Sequence, residues 1–159
     1  MSDDAISTPS ATLDSENRTI FFVDASNVAH QGRRKPELIN ILAVRDDLRR
    51  YGTVVLVADA SLRHKIDDRV SYERLVNDGT ILQVPSGTSA DWHIKVLAAK
   101  WRLRKWNVVV VSNDRRMNDT LPTGITPVSV LSVNLKCFID NIFTPTIAEV
   151  SAKAVPRGI

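Results

Sequence analysis

An α/β fold, with a mostly parallel sheet covered by helices on both faces, is what this sequence predicts. Three observations carry that prediction. The runs TIFFVD (19–24), TVVLVAD (53–59) and NVVVVSN (107–113) are apolar almost throughout, as strands buried on both faces are. Segments with helical spacing separate them. Strands alternating with helices favour parallel pairing, because each crossover helix returns the chain to the same edge.

Taken in order, residues 1–17 are rich in Ser, Thr and Asp without periodicity and are expected to form a flexible tail. One domain is expected over 18–147, then a second flexible tail over 148–159. After the first strand, PELINILAVRDDLRRYG (36–52) predicts a helix closed by Gly52, and DDRVSYERLVNDG (67–79) a helix closed by Gly79. TILQVP (80–85) and ITPVSVL (125–131) predict further strands. SADWHIKVLAAKWRLRKW (89–106) predicts a helix with Ser89 as its N-cap.

The bulk composition narrows the class without naming it. With 159 residues, 43% hydrophobic and 25% charged, the chain reads as one ordinary globular domain. The net charge of +3 is too mild to identify a polyanionic partner, so the placement of the cations must decide. Cys137 is the only cysteine, which excludes an intrachain disulfide and a cysteine-rich zinc site; it reads as a small core residue. Acids stand where a signal peptide has lysines, and no run reaches the ~20 apolar residues of a membrane span. The expected location is cytoplasmic.

In an open parallel sheet, ligand sites form outside the carboxyl ends of the strands. Asp24, Asp59 and Asp114 each close or follow an apolar run, Asp91 lies in the first turn of a helix starting at that edge, and Asp119 follows Asp114 closely. Three of them have a plain alternative. Asp91 suits a helix N-terminus through the dipole, Asp59 can cap a helix, and Asp114 can form an Asx turn. Together they point to a cation, because clustered carboxylates repel one another. Oxygen donors without thiols or a histidine triad suit Mg²⁺ or Mn²⁺, which can activate water at a phosphodiester. His30, His64 and His93 are scattered and read as structural or surface residues, with His30 the best placed to assist a proton transfer.

VDASNVA (23–29), SADWHI (89–94) and VVVSND (109–114), in this order and spacing, resemble the NYN branch of the PIN-like ribonucleases, in particular the Regnase (MCPIP) type. The resemblance covers roughly residues 19–131. It implies a PIN-like three-layer sandwich, divalent-metal dependence and hydrolysis of single-stranded RNA, and it leaves a homodimer open. It implies Asp24, Asp91 and Asp114 as metal ligands, with Asn27 as an orienting or substrate-contacting amide. The chain departs from the pattern twice. Ala90 stands where the family often has a second acid, and Asn118 stands four residues after Asp114 where the family has an acid. Asp119 completes the ligand set only if its segment is irregular, since i+4 shares a helical face with i and i+5 does not.

Ser26 and the basic GRRK stretch, Arg33, Arg34 and Lys35, are the expected RNA contacts. A second basic cluster, KWRLRKW (100–106), lies toward the far end of its helix, where Trp101 is expected to pack against the sheet. Two other metal-binding classes fit less well. An adhesion loop of the form Asp-x-Ser-x-Ser fails at Val28, and a haloacid-type phosphatase needs a second aspartate where Ser26 stands. A non-catalytic RNA-binding relative, favoured by Ala90 and Asn118, is the alternative to a nuclease.

Overall fold

The computed structural model describes residues 18–30 and 35–129. The two expected tails, Arg33, Arg34 and Cys137 lie outside the described residues.

Five strands form one all-parallel sheet in the order β3-β2-β1-β4-β5, with β1 at Thr19–Asp24, β2 at Thr53–Ala58, β3 at Ile81–Gln83, β4 at Asn107–Val111 and β5 at Ile125–Val128. β1 is the middle strand. Its neighbours are in register with Phe22 beside Val55 on one side and Val110 on the other. The chain steps outward from β1 through β2 to β3, then returns to the other side of β1 for β4 and β5. The order therefore reverses between β1 and β4, and a crevice at such a switch point is where open α/β sheets bind ligands.

Alternation along β1 explains the layers. Phe21 and Val23 face the cluster that contains Val28, Ile41, Leu48, Leu62 and Tyr72, whereas Ile20 and Phe22 face the one that contains Ile94, Ala98 and Met117. The first face is covered by α1 (Ala25–His30), α2 (Leu38–Leu48), α3 (Leu62–Lys65) and α4 (Arg69–Asn77). The second is covered by α5 (Ala90–Leu103) and the short α6 (Arg115–Asp119). The result is a three-layer, PIN-like sandwich.

Local chemistry sets the boundaries. Ser89 caps α5, its Oγ accepting the Trp92 N–H at 3.1 Å, and Asp68 caps α4 through the Ser71 N–H at 3.1 Å. The N-terminus of α2 is capped from a distance, its Leu38 N–H donating to Asp67 Oδ1 at 2.9 Å. Gly79 has φ +85 and ends α4 as the sequence predicts. Gly52 serves differently: a Cβ there would run into the Thr19 carbonyl oxygen, so its role is close approach between β1 and the start of β2.

One element departs from the expected outline, whereas β5 lies within the strand expected over 125–131. ASNVAH (25–30) forms α1 directly after Asp24, the last residue of β1, with no intervening loop. β5 contains Pro127, tolerated because among the described residues β5 lies at the sheet edge. Val128 turns its carbonyl inward to accept the Ser112 N–H at 2.9 Å, so the alternate residue Pro127 points its nitrogen outward. Among the described residues no helix is long and apolar enough to cross a membrane.

Candidate active site at the carboxyl edge

Asp24 stands at the switch point. It is the last residue of β1 and also caps α1, its Oδ1 accepting the Asn27 N–H at 3.2 Å. From β4's side of the crevice, Ser112 Oγ donates to Asp24 Oδ2 at 3.3 Å and accepts the Asp114 N–H at 3.1 Å. The carboxyl is buried, with 8% of the residue exposed. Burial raises its pKa to about 6, repulsion from Asp59 and then Asp91 adds to the rise, and the Asn27 N–H and Ser112 hydroxyl oppose it. Three carboxylates therefore share one field.

The rest of the DASN motif braces neighbouring strand ends. Ser26 Oγ accepts the Asp59 N–H at 2.9 Å, fixing the end of β2. Asn27 Oδ1 accepts the Asn113 N–H at 2.8 Å, fixing the end of β4. Asp59 Oδ1 in turn accepts the Ala90 N–H at 2.8 Å and so ties the start of α5 to the same edge. Asp59 is thus a helix cap, as its plain reading has it, but of α5 rather than of the helix that follows it.

Asp91 lies in the first turn of α5. Its Oδ2 is 3.5 Å from Lys95 Nζ, one helical turn on. Its Oδ1 is buried and has no hydrogen-bond partner among the described residues. A buried carboxylate oxygen without a donor is costly, although the Asp91 side chain as a whole keeps 42% of its surface exposed.

The acids after β4 are arranged less tightly. Asp114 is exposed and caps α6, its Oδ1 accepting the N–H groups of Arg116 at 3.0 Å and Met117 at 3.3 Å. The helix is regular, with the Asn118 N–H on the Asp114 carbonyl at 3.0 Å. Asn118 consequently turns inward: its Nδ2 donates to the Ser112 carbonyl at 3.0 Å, and its Oδ1 is buried without a partner among the described residues. Asp119 ends α6 exposed, and the structure does not bring it in with the others. Among the described residues no three acids, histidines or cysteines draw close enough to hold a metal by themselves.

The histidines stay outside this cluster of acids. His30 Nδ1 donates to the Ser26 carbonyl at 2.7 Å within α1, and the rings of Trp92 and His93 stand nearly perpendicular with centroids 5.2 Å apart. Lys35 is exposed just before buried Pro36; Arg33 and Arg34, its expected companions, lie outside the described residues. At the opposite edge Trp101 and Trp106 pack against the core and meet edge to face at 4.9 Å, with Arg104 over Trp101. Trp101 thus packs as its sequence position predicts.

Reading the sequence passes over Ser112 and leaves Asp59 out of the ligand set. Ser112 could have been found by extending the alternation of β4, since Val108, Val110 and Ser112 fall on the face to which Asp24 points.

Fold and site together define a class: an α/β sandwich with carboxylates gathered at the switch point of its sheet. Residues 16–123 match the family described as the Zc3h12a-like ribonuclease NYN domain. That span covers more than half of the chain, which belongs to this family. No curated protein and no solved structure matches it.

Proposed function

We propose that this protein hydrolyses phosphodiester bonds of single-stranded RNA at the carboxyl edge of its sheet, with Mg²⁺ or Mn²⁺ held by Asp24, Asp91 and Asp114. The observation that carries the reading is the buried, unpartnered Oδ1 of Asp91 beside the shared field of Asp24 and Asp59. The donors fit such an ion. All are oxygens, and Mg²⁺ commonly takes only one or two carboxylates, keeping waters and substrate phosphate for its other positions. Among the described residues no three acids lie close enough to hold the ion by themselves, so in this reading one or two of the three bind it directly and the rest act through water. Asn118 adds a buried amide oxygen in place of an acid.

A bound divalent ion supplies activation of a water molecule and stabilisation of the leaving oxygen. The chain's own residues prepare the site. The Asn27 N–H and Ser112 hydroxyl hold the Asp24 carboxylate in one orientation, and with a pKa of about 6 it is mostly ionised at neutral pH. Asn27 and Ser26 fix the strand ends that carry the other groups. Arg33, Arg34 and Lys35 follow α1 and hold phosphates of the strand.

The second reading is RNA binding without cleavage. It is favoured by Asn118 and Ala90 in acid positions and by the exposure of Asp114. One assay separates the two: labelled single-stranded RNA incubated with Mn²⁺ and either wild type or Asp24→Asn. Cleavage by wild type alone supports the nuclease. Binding without cleavage by either protein supports the second reading.

A further inference from the structure

Trp92 keeps 59% of its surface exposed, although tryptophan is on average one of the more covered side chains in folded proteins. It directly follows Asp91, its Cα ~3.8 Å away. An α-helix turns about 100° per residue, so the step that leaves an Asp91 oxygen buried swings the next side chain outward.

Among the described residues the indole has one ring neighbour, and the Trp92 backbone is fixed at the start of α5. Its residue's N–H is anchored on Ser89 Oγ at 3.1 Å, and its ring stands edge-on to His93 at an interplanar angle of 80°. A shallow hollow of about 420 Å³ adjoins it, lined by Gly87, Thr88, Ser89 and Trp92. Gly87 has φ +86, and a Cβ there would meet nothing within 4 Å, so the loop bends away and leaves space open. Thr88 turns its hydroxyl back onto the Pro85 carbonyl at 2.6 Å. The hollow thus offers one aromatic surface, small neighbours and little polar competition.

We infer that Trp92 and the Gly87–Ser89 loop form a stacking subsite for one unpaired nucleobase of an RNA strand whose backbone crosses the carboxylates. This rests on the nuclease reading above and adds to it a place where the strand is gripped by a base. Bases of single strands splay onto aromatic side chains, and such stacking tolerates any sequence because every base has a π-face. Val96 and Leu103 continue an exposed apolar face down α5, which a protein partner could also cover. The hollow, however, is at the Trp92 end, and that is the end adjoining Asp91.

The test measures binding of a labelled single-stranded RNA oligonucleotide to Asp24→Asn protein in Mg²⁺ and to the same protein carrying Trp92→Ala, Trp92→Phe or Leu103→Ser. Trp92→Ala is expected to weaken binding about 5- to 150-fold, the range equivalent to the ~1–3 kcal/mol of one base–aromatic stack. Trp92→Phe should restore most of it, and Leu103→Ser should change nothing. Moving a single abasic site along the RNA should find one position at which the Trp92→Ala defect disappears. Unchanged affinity in Trp92→Ala overturns the inference. So does a change of oligomeric state shared by Trp92→Ala and Leu103→Ser without a selective loss of RNA, which would make the face a protein interface. RNA that binds neither these proteins nor wild type, measured alongside them, sinks the nuclease reading itself, a result distinct from normal binding by the Trp92 variant.

Discussion

The side-chain oxygen of Asn27 accepts the backbone N–H of Asn113 at 2.8 Å, joining residues 86 apart in the chain across the crevice between β1 and β4. With the Ser112 hydroxyl on Asp24, this bond ties the end of β1 that carries Asp24 to the turn that carries Asp114. Asn27→Ala leaves the Asn113 N–H without its partner in a half-buried place, at a cost of about 1–3 kcal/mol. Urea unfolding should show that loss, and Asn27→Asp, which keeps the acceptor, should recover part of it at low pH. A Asn27→Ala protein as stable as wild type would mean that the brace is dispensable.

The Asp24 carboxyl links stability to pH. Its folded pKa of about 6 lies above the ordinary 3.8, so the folded state binds the extra proton between these values. The stability it contributes is complete below pH ~4 and is lost as pH rises through about 6, amounting to about 3 kcal/mol for a shift of this size. Asp24→Asn should flatten that slope and be the more stable protein at pH 7 in EDTA. Urea melts at pH 4.5 and 7 decide the matter; destabilisation of the variant at both would make Asp24 a structural cap first.

Divalent metal should reverse the penalty. Mg²⁺ or Mn²⁺ at a hundredfold excess over its dissociation constant is expected to stabilise wild type by about 2.7 kcal/mol. The gain should shrink in Asp91→Asn and Asp114→Asn. Asn118→Ala should reduce it more than Asp119→Ala, because the Asn118 amide is turned inward and Asp119 is exposed. A melting temperature indifferent to millimolar metal removes the ion from the site.

The grip on phosphate is expected from Arg33, Arg34 and Lys35. Neutralising the three should weaken RNA binding and flatten its dependence on salt, since each phosphate contact releases counterions. Neutralising Lys100, Arg102 and Lys105, near the opposite edge, should do much less at equal stability. The reverse ranking across a salt series would put the RNA at the wrong end of the sheet for the acids.

Gly52 offers a test of the fold alone. Alanine there drives its Cβ into the Thr19 carbonyl, backbone that cannot simply swing aside. A loss of about 1–3 kcal/mol is expected for such overpacking, with the metal-induced shift unchanged. Thermal melts with and without Mn²⁺ check both halves.

Strands proved more legible than the short helices. TIFFVD matches β1 from Thr19 to Asp24, and the apolar runs at 53–59 and 107–113 contain β2 and β4, because burial on both faces writes a continuous hydrophobic signal. α1 escaped notice because Ser26 and Asn27 are residue types that favour caps and turns, and six residues carry too little periodicity to outweigh them. The position of Asp24 and Asp91 at the carboxyl edge followed from strand and helix order. The work of Ser26 and Asn27 did not, since their partners Asp59 and Asn113 lie 33 and 86 residues on. The contrast between Asn118 and Asp119 hung on one question, whether residues 115–119 coil regularly, and they do.

Pro127 bears on how copies of this protein can meet. A sheet grows by adding a strand to an edge whose N–H groups face outward, and at this place on β5 the outward nitrogen carries no hydrogen. At the other margin β3 is only three residues long, too short to template a stable ladder. Among the described residues the margins thus discourage strand-by-strand stacking of one molecule on the next, the route to fibrous aggregation.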